Sequence, residues 1–316
     1  MSENKSSFHV EHDRNKTDVP RGTDKVFLEN CPLCDSVQSS PSLSCTDYTT
    51  TGETFLLDFC QECGFLFTNP QPLPEVLSKY YTSPEYISHS EIKTGLINKL
   101  YHAVQKRNLR YKFSICKRYA PSGKWIDYGS GAGAFLKYAS DHNQIIVGYE
   151  PDPNARKASK KKNQDVQSTN DYRTLELKVA CISMWHVLEH IPNFKEILCI
   201  HGENLLPNGI LVIAVPNHQS YDAAFYRNEW AAYDVPRHLW HFTENDMIKL
   251  AHKYRLALEH IRPLIFDSFY VSMLSEKNKN GNVVRGLFIG VMSNIKARFK
   301  RQPFSSQIYV FRKLPF

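Results

Sequence analysis

"WIDYGSGAGAFLKYAS", residues 125–140, runs from an apolar stretch through Gly129, Gly131 and Gly133 into an amphipathic one, and "NQIIVGYEPD", residues 143–152, follows with Glu150 near its end. A strand that closes in a glycine-rich turn and restarts as a helix lets the backbone pass close to a bound nucleotide. An acid at the tip of the next strand can accept hydrogen bonds from both ribose hydroxyls. Glu150 is placed to be that acid. Dinucleotide-binding proteins also put a glycine turn and an acid here, but the spacing differs. In Asp127-x-Gly129-x-Gly131-x-Gly133 the glycines strictly alternate, and Ala134 and Phe135 follow where a G-x-x-G step would admit a pyrophosphate. A cofactor without a pyrophosphate fits better.

Outward from this turn, strands and helices alternate. Apolar runs predict strands at 124–128, 145–149, 179–184 and 209–215, with helices near 132–142, 153–163 and 193–206. Such alternation implies a doubly wound, mostly parallel α/β sheet that binds its ligand beyond the carboxyl ends of the strands. A further helix opens on Thr243 as N-cap with Asp246 in its first turn, and strands are expected near 256–265 and 307–312. With 316 residues and 42% hydrophobic content the chain can bury a full core. It has no run of eighteen apolar residues, and its first residues lack an apolar signal-peptide core, so neither a membrane span nor secretion is supported and a cytoplasmic location is expected. Residues 1 to about 24 are polar and of mixed charge, and are expected to be a disordered tail.

Four of the eight cysteines form two C-x-x-C pairs, Cys31 with Cys34 and Cys60 with Cys63. Each pair can wrap one side of a tetrahedral ion, and zinc is the economical choice. Four thiolates leave no open coordination position, so the site would be structural. Cys45, Cys116, Cys181 and Cys199 are isolated, the last two in apolar settings expected to be core. "GFLFTNPQPLPEVLSKYYTSPEYISH" then marks a connection with Tyr80, Tyr81 and Tyr86 as amphipathic contact surface, and a helical pattern from about Glu91 to Tyr119 reads as a connector.

The formal charge of +7 is uneven: no acid lies between Glu91 and Asp127, and from Gly290 to Phe316 the only charges are Lys296, Arg298, Lys300, Arg301, Arg312 and Lys313. These segments read as a solvated helix face and a solubilising tail, or as a surface for an anionic partner: a phosphorylated substrate, a membrane surface or nucleic acid.

"IDYGSGAGAFL", "GYEPD", "SMWHVLEHIPN" and "LLPNGILVIAVPN" together resemble the successive motifs of class I S-adenosylmethionine-dependent methyltransferases, over roughly residues 120–260. "CPLC…CQECGFLFTNPQP…YY" resembles the zinc-ribbon segment that precedes this domain in a bacterial group of such enzymes. The resemblance implies a seven-stranded, mostly parallel Rossmann-like sheet with a small N-terminal ribbon (25–70), a helical connector (71–120) and a methyltransferase domain (121–316) carrying an acceptor-site insertion near 216–242. It implies S-adenosyl-L-methionine as cofactor, with Asp127, Gly129, Gly131 and Gly133 around the methionine moiety and Glu150 on the ribose. Met184, Trp185 and His186 would line the cofactor at the end of the fourth strand. Relatives often carry an aspartate early in that strand, where this chain has Ala180.

The sulfonium already activates the methyl group, so the protein has to align an acceptor, exclude water and, for a hydroxyl, remove a proton. Candidates are His186 and His190 in "WHVLEH", and Arg237, His238 and His241 in "YDVPRHLWHFT", with Arg237 suited to an acidic or phosphorylated acceptor. H-x-x-E-H also occurs in inverted zinc proteases, which need it within a helix; here it bridges strand to helix. Some O-methyltransferases carry E-x-x-E-H at this place and hold a divalent metal, which would make His186, Glu189 and His190 a second metal site, although His186 stands where those relatives have glutamate. Glu189 and His190 can also simply cap the next helix. Transfer to oxygen or carbon of a small-molecule or lipid-precursor acceptor is the leading function. The other is a non-catalytic protein that uses ribbon and basic helix to bind RNA or a partner. The complete cofactor turn favours the enzyme, and the ribbon is not notably basic, which disfavours nucleic acid. Nothing in the sequence indicates a fixed oligomeric state, and peripheral membrane contact stays open.

Overall fold

A computed structural model describes residues 24–81, 96–162, 168–170, 178–299 and 302–315. The tail expected over the first two dozen residues falls outside them apart from Asp24, as do Tyr86 and the first residues of the connector helix.

In chain order the strands are β1 (Lys25–Val26), β2 (Ser39–Thr46), β3 (Thr54–Cys60), β4 (Leu66–Thr68), β5 (Gln71–Pro72), β6 (Trp125–Tyr128), β7 (Ile146–Tyr149), β8 (Ser168–Thr169), β9 (Val179–Trp185), β10 (Leu205–Pro216), β11 (Trp240–His241), β12 (Leu256–Pro263) and β13 (Ser306–Lys313). The longer helices are α1 (Leu96–Tyr119), α2 (Ala134–Asp141), α3 (Pro153–Lys162), α4 (Phe194–Asn204), α5 (Tyr221–Tyr226), α6 (Glu244–Lys253), α7 (Asp267–Asn278) and α8 (Val283–Phe299).

Seven strands form one sheet in the order β12-β13-β10-β9-β6-β7-β8. All neighbours from β10 to β8 pair parallel, and β13 alone runs against both of its neighbours. The doubly wound, mostly parallel seven-stranded fold is therefore present. Residue parity assigns the two faces, as strand geometry requires. Ile126, Tyr128, Ile182, Met184, Leu211 and Ile213 belong to one core layer, while Trp125, Cys181, Val212 and Ala214 belong to the other together with Ile115 and Cys116 of α1.

The capping box at Thr243 forms, with Asp246 Oδ2 accepting from the Thr243 N–H. Two readings are corrected. Cys199 is exposed, since its helix turns it outward. The basic C-terminal stretch is no solubilising tail: α8 packs on α7, and β13 lies inside the sheet between β10 and β12.

The ribbon sheet has the order β11-β4-β3-β2, so its edge strand comes from residues 240–241, far along the chain. Cys31, Cys60, Phe65 and Phe67 share one core layer with Met184, Leu211 and Trp240. Phe65 stacks on Trp240 at 6.4 Å between ring centres, and Phe194 of α4 meets Trp240 at 5.2 Å. Ribbon and main sheet are thus packed as one body around a shared aromatic cluster.

Candidate active site

The turn after β6 holds all three glycines in the left-handed region, with φ of +74°, +53° and +74°. Gly129 also has no room for a side chain, since an added Cβ would lie 2.4 Å from Cγ2 of Val187, whereas Gly131 faces open space with nothing within 4 Å. The N–H groups of Gly129 and Ser130 both donate to the Tyr149 carbonyl, at 2.8 and 3.0 Å, which ties the turn to the end of β7. No side chain caps the start of α2 at Gly133, which leaves a helix N-terminus beside the turn for a polar ligand group.

Glu150 stands across from this turn. Its Oε2 accepts from Gly131 N–H at 2.7 Å and its Oε1 from Asp152 N–H at 2.9 Å. Burial raises its pKa while these two N–H groups oppose the rise. Asp127 is buried beneath the turn and accepts from Ser183 Oγ at 2.6 Å. Burial lifts its carboxyl to about 7, against the pull of Ser183 and Lys112. Lys112 of α1 reaches within 4.8 Å of the centre of the Trp185 ring. The buried Nε1–H of Trp185 has no partner in the protein, an orphan donor beside the cleft that a bound cofactor could satisfy. An open glycine cradle, an oriented carboxylate and this donor fit S-adenosylmethionine. The side chain of Met184 is wholly enclosed in the core, so it does not line the cleft.

His186 directly follows β9 in a left-handed conformation, φ +57°. Its Nε2 lies 2.9 Å from Asp267 Oδ2 and its Nδ1 lies 3.3 Å from Glu189 Oε1. Burial alone would depress its pKa, but the two carboxylates outweigh burial and raise it to about 9. With Nε2 on Asp267 and Nδ1 on Glu189, both ring nitrogens of His186 are engaged within the protein. Asp267 lies 81 residues away, and no local pattern links it to His186.

The segment from Trp230 to Phe242 brings the other candidates to the ribbon. All five N–H donors of Arg237 are engaged inside the protein: Nε and one Nη2–H on Asp234 (3.0 and 2.7 Å), the other Nη2–H on Asp47 (2.9 Å), and Nη1 on Thr50 Oγ1 and the Tyr80 carbonyl (3.2 and 2.9 Å). Nothing is left for a substrate anion, so Arg237 acts here as a buried strut between loop and ribbon. Its partner Asp47 was invisible to sequence reasoning. His241 also turns to the ribbon, with Nε2 3.3 Å from Thr68 Oγ1, and burial holds its pKa far below the ordinary histidine value.

His190 and His238 do come together, with ring centres 4.5 Å apart. The Nδ1 of His238 lies 2.8 Å from the Ala232 carbonyl, and the Nδ1 of His190 lies 3.0 Å from the Arg237 carbonyl. A carbonyl only accepts, so each Nδ1 carries the proton and each Nε2 presents a lone pair. Burial lowers the His190 pKa to about 4, aided by the nearby His238. One donor atom each from Glu189, His190 and His238 lies within 4.8 Å of the others, and Glu189 Oε2 is buried without a partner. The three side chains that converge are therefore not the expected His186, Glu189 and His190.

A cavity of about 650 Å³ opens on His186, His238 and Asp267. Its other walls come from Tyr48 and Thr49 of the ribbon, from Trp230 and Tyr233, and from Tyr270 and Leu274 of α7. The sequence reading expected the ribbon to cover the active site but named no ribbon residue there, and it missed α7, because these side chains reach the cavity only through the tertiary fold.

The four ribbon cysteines also converge. Cys31 and Cys63 Sγ are 3.6 Å apart, as are Cys34 and Cys60. A tetrahedron with zinc–sulfur arms of about 2.3 Å has edges of about 3.8 Å, whereas a disulfide needs about 2.05 Å. The donor set fits a structural zinc.

Residues 102–261 match the methyltransferase-domain family, and the chain belongs to it. The protein is an S-adenosylmethionine-dependent methyltransferase of class I. Solved structures similar to it include a methyltransferase from Thermotoga maritima (15% identity, 69% of this chain and 96% of that one, TM-score 0.45). Phosphoethanolamine N-methyltransferase 2 from Haemonchus contortus, solved with S-adenosyl-L-methionine, is another (14%, 79% and 63%, 0.48). A third is the geranyl diphosphate C-methyltransferase of Streptomyces coelicolor (11%, 71% and 88%, 0.47). No curated protein matches the chain. Among the described residues no helix is long and apolar enough to cross a membrane.

Proposed function

We propose that the protein methylates a hydroxyl oxygen of a small acceptor that enters the 650 Å³ cavity, with His238 as the general base. The observation that carries this reading is the His238 tautomer: Nδ1–H is committed to the Ala232 carbonyl, so Nε2 is the free lone pair at a side chain that lines the cavity. Asp234 Oδ2 lies 3.9 Å from Nε2. His186 and Asp267, paired with each other at 2.9 Å, form another part of the cavity lining. S-adenosylmethionine, held by the glycine turn and Glu150, brings an activated methyl group. The chain's own work is to orient the acceptor, exclude water and accept one proton. With Arg237 fully engaged, the acceptor needs no acidic group.

His238→Ala should lower turnover by about 10² or more while cofactor affinity stays the same. The acceptor itself is best sought by mass spectrometry of metabolites from cells with and without the protein. Unchanged turnover in the variant would end the base assignment.

A second reading makes Glu189, His190 and His238 ligands of a divalent cation that positions the acceptor oxygen, and the partnerless Glu189 Oε2 favours it. Turnover lost on metal depletion and restored by magnesium or manganese supports the cation; turnover indifferent to chelation supports the base.

A further inference from the structure

Helix α8 is packed inside out. Its inward face consists of Gly286, Gly290, Ser293 and Ala297 with Ile289, all buried against neighbouring elements. An added Cβ at Gly286 would lie 2.8 Å from Met273 Cα, and one at Gly290 would lie 2.8 Å from Phe269 Cα, so α8 and α7 meet backbone to backbone. The large apolar residues are left outside: Val284, Leu287, Phe288, Val291, Ile295 and Phe299 are all exposed, Phe288 at 62% and Phe299 at 78%. At 3.6 residues per turn they form one continuous stripe along a helix of 17 residues, about 25 Å long. Single exposed apolar side chains are ordinary, but a contiguous stripe of this length is not.

We propose that this stripe docks on an anionic lipid bilayer. Charge selects the occupant. From Lys277 to Phe316 the sequence contains no acid. Arg285 and Lys296 border the stripe on one side of the helix and Arg298 interrupts it near its C-terminal end; Lys296 rests 3.6 Å from the centre of the Tyr221 ring and Arg285 is tied to the buried Glu276. An apolar face on a helix whose only charged residues are cations is the pattern of a helix lying in a headgroup interface, where the cations meet lipid phosphates. A second copy of the chain on the same face would instead bring cation against cation. Position agrees with this choice: α7, which carries α8 on its back, gives Tyr270, Val271 and Leu274 to the wall of the acceptor cavity. Docking would hold that cavity close to the membrane surface. The surface is independent of the base assignment above.

The test uses the full chain with vesicles of phosphatidylcholine alone or with about 30% phosphatidylglycerol. The protein should pellet with the anionic vesicles, at least about tenfold more tightly than with neutral ones, and ~0.5 M salt should weaken the association. The double variant Phe288→Ser, Ile295→Ser changes only exposed positions; it should keep its melting temperature and cofactor affinity and lose vesicle binding. Arg298→Glu should reduce the preference for anionic lipid. No pelleting, equal binding to both vesicles, or a double variant that pellets like the parent would each overturn the proposal. So would a dimer in sedimentation velocity that the double variant dissolves, since the face would then belong to a second copy.

Discussion

Two carboxylates on one histidine make His186 the most readable titrating group at the site. In the folded chain it keeps its proton to about pH 9, against an ordinary value of 6.5. Between those values the folded chain binds a proton that the unfolded chain has lost. The stabilisation is fully present below about 6.5 and disappears as pH rises through about 9. Asp267→Asn removes the stronger partner, so the fall in melting temperature between about pH 7 and about pH 9.5 should be smaller in the variant than in the parent. An equal fall in both would mean that Asp267 does not hold the proton. His190 has the opposite sign: burial depresses it to about 4, so it costs stability only as pH falls below about 6.5, outside that comparison. Glu150 belongs to the same scale. Its two carboxylate oxygens are pinned by backbone N–H groups. Glu150→Ala should weaken S-adenosylmethionine binding by about 1 to 3 kcal/mol in calorimetry, through loss of charge-assisted hydrogen bonds.

At the scale of elements, what could be read from sequence was whatever buries a large side chain at a regular period. β6, β7, β9 and β10 were legible because their apolar runs are continuous, and α6 because its cap uses local side-chain chemistry. The α7–α8 pair was missed because its buried side is mostly glycine, serine and alanine, which invert the usual signal. The cofactor turn was legible for a similar reason, since positive φ at alternate positions demands glycine. The acceptor side was not, because its contacts join residues 47, 80, 186, 237 and 267, and no spacing encodes them. Arg237 is the clearest case. Its side chain is 1% exposed and that of Asp47 is fully buried, so removing the guanidinium leaves a buried carboxylate without its counter-charge, held by the Thr49, Thr50 and Thr51 N–H groups and the Thr51 hydroxyl. Arg237→Ala should therefore cost about 3–5 kcal/mol of stability in denaturant unfolding. A variant that unfolds like the parent but binds acceptor weakly would return Arg237 to the substrate.

The whole molecule joins ribbon to catalytic sheet more closely than a separate zinc module would. β11 completes the ribbon sheet by pairing Trp240 with Phe67, and the Thr68 N–H donates to the Leu239 carbonyl at 3.0 Å. Tyr48 and Thr49, in the hairpin between β2 and β3, wall the cavity that His238 lines. The cofactor turn, by contrast, is built from β6, β7 and α2, none of which belongs to the ribbon sheet. Loss of the metal should therefore divide the two halves of the site. Purified protein should carry one zinc per chain by elemental analysis, and stripping it should lower the melting temperature by freeing the two cysteine knuckles. Turnover should then fall well before cofactor affinity does, because the acceptor wall loosens while the glycine turn and Glu150 stay in the sheet. Cys60→Ser should act in the same direction, since Cys60 is fully buried and paired with Cys34 at 3.6 Å. Cofactor affinity lost in step with turnover would show that the ribbon supports the entire sheet, and unchanged turnover in zinc-free protein would separate the ribbon from the acceptor site altogether.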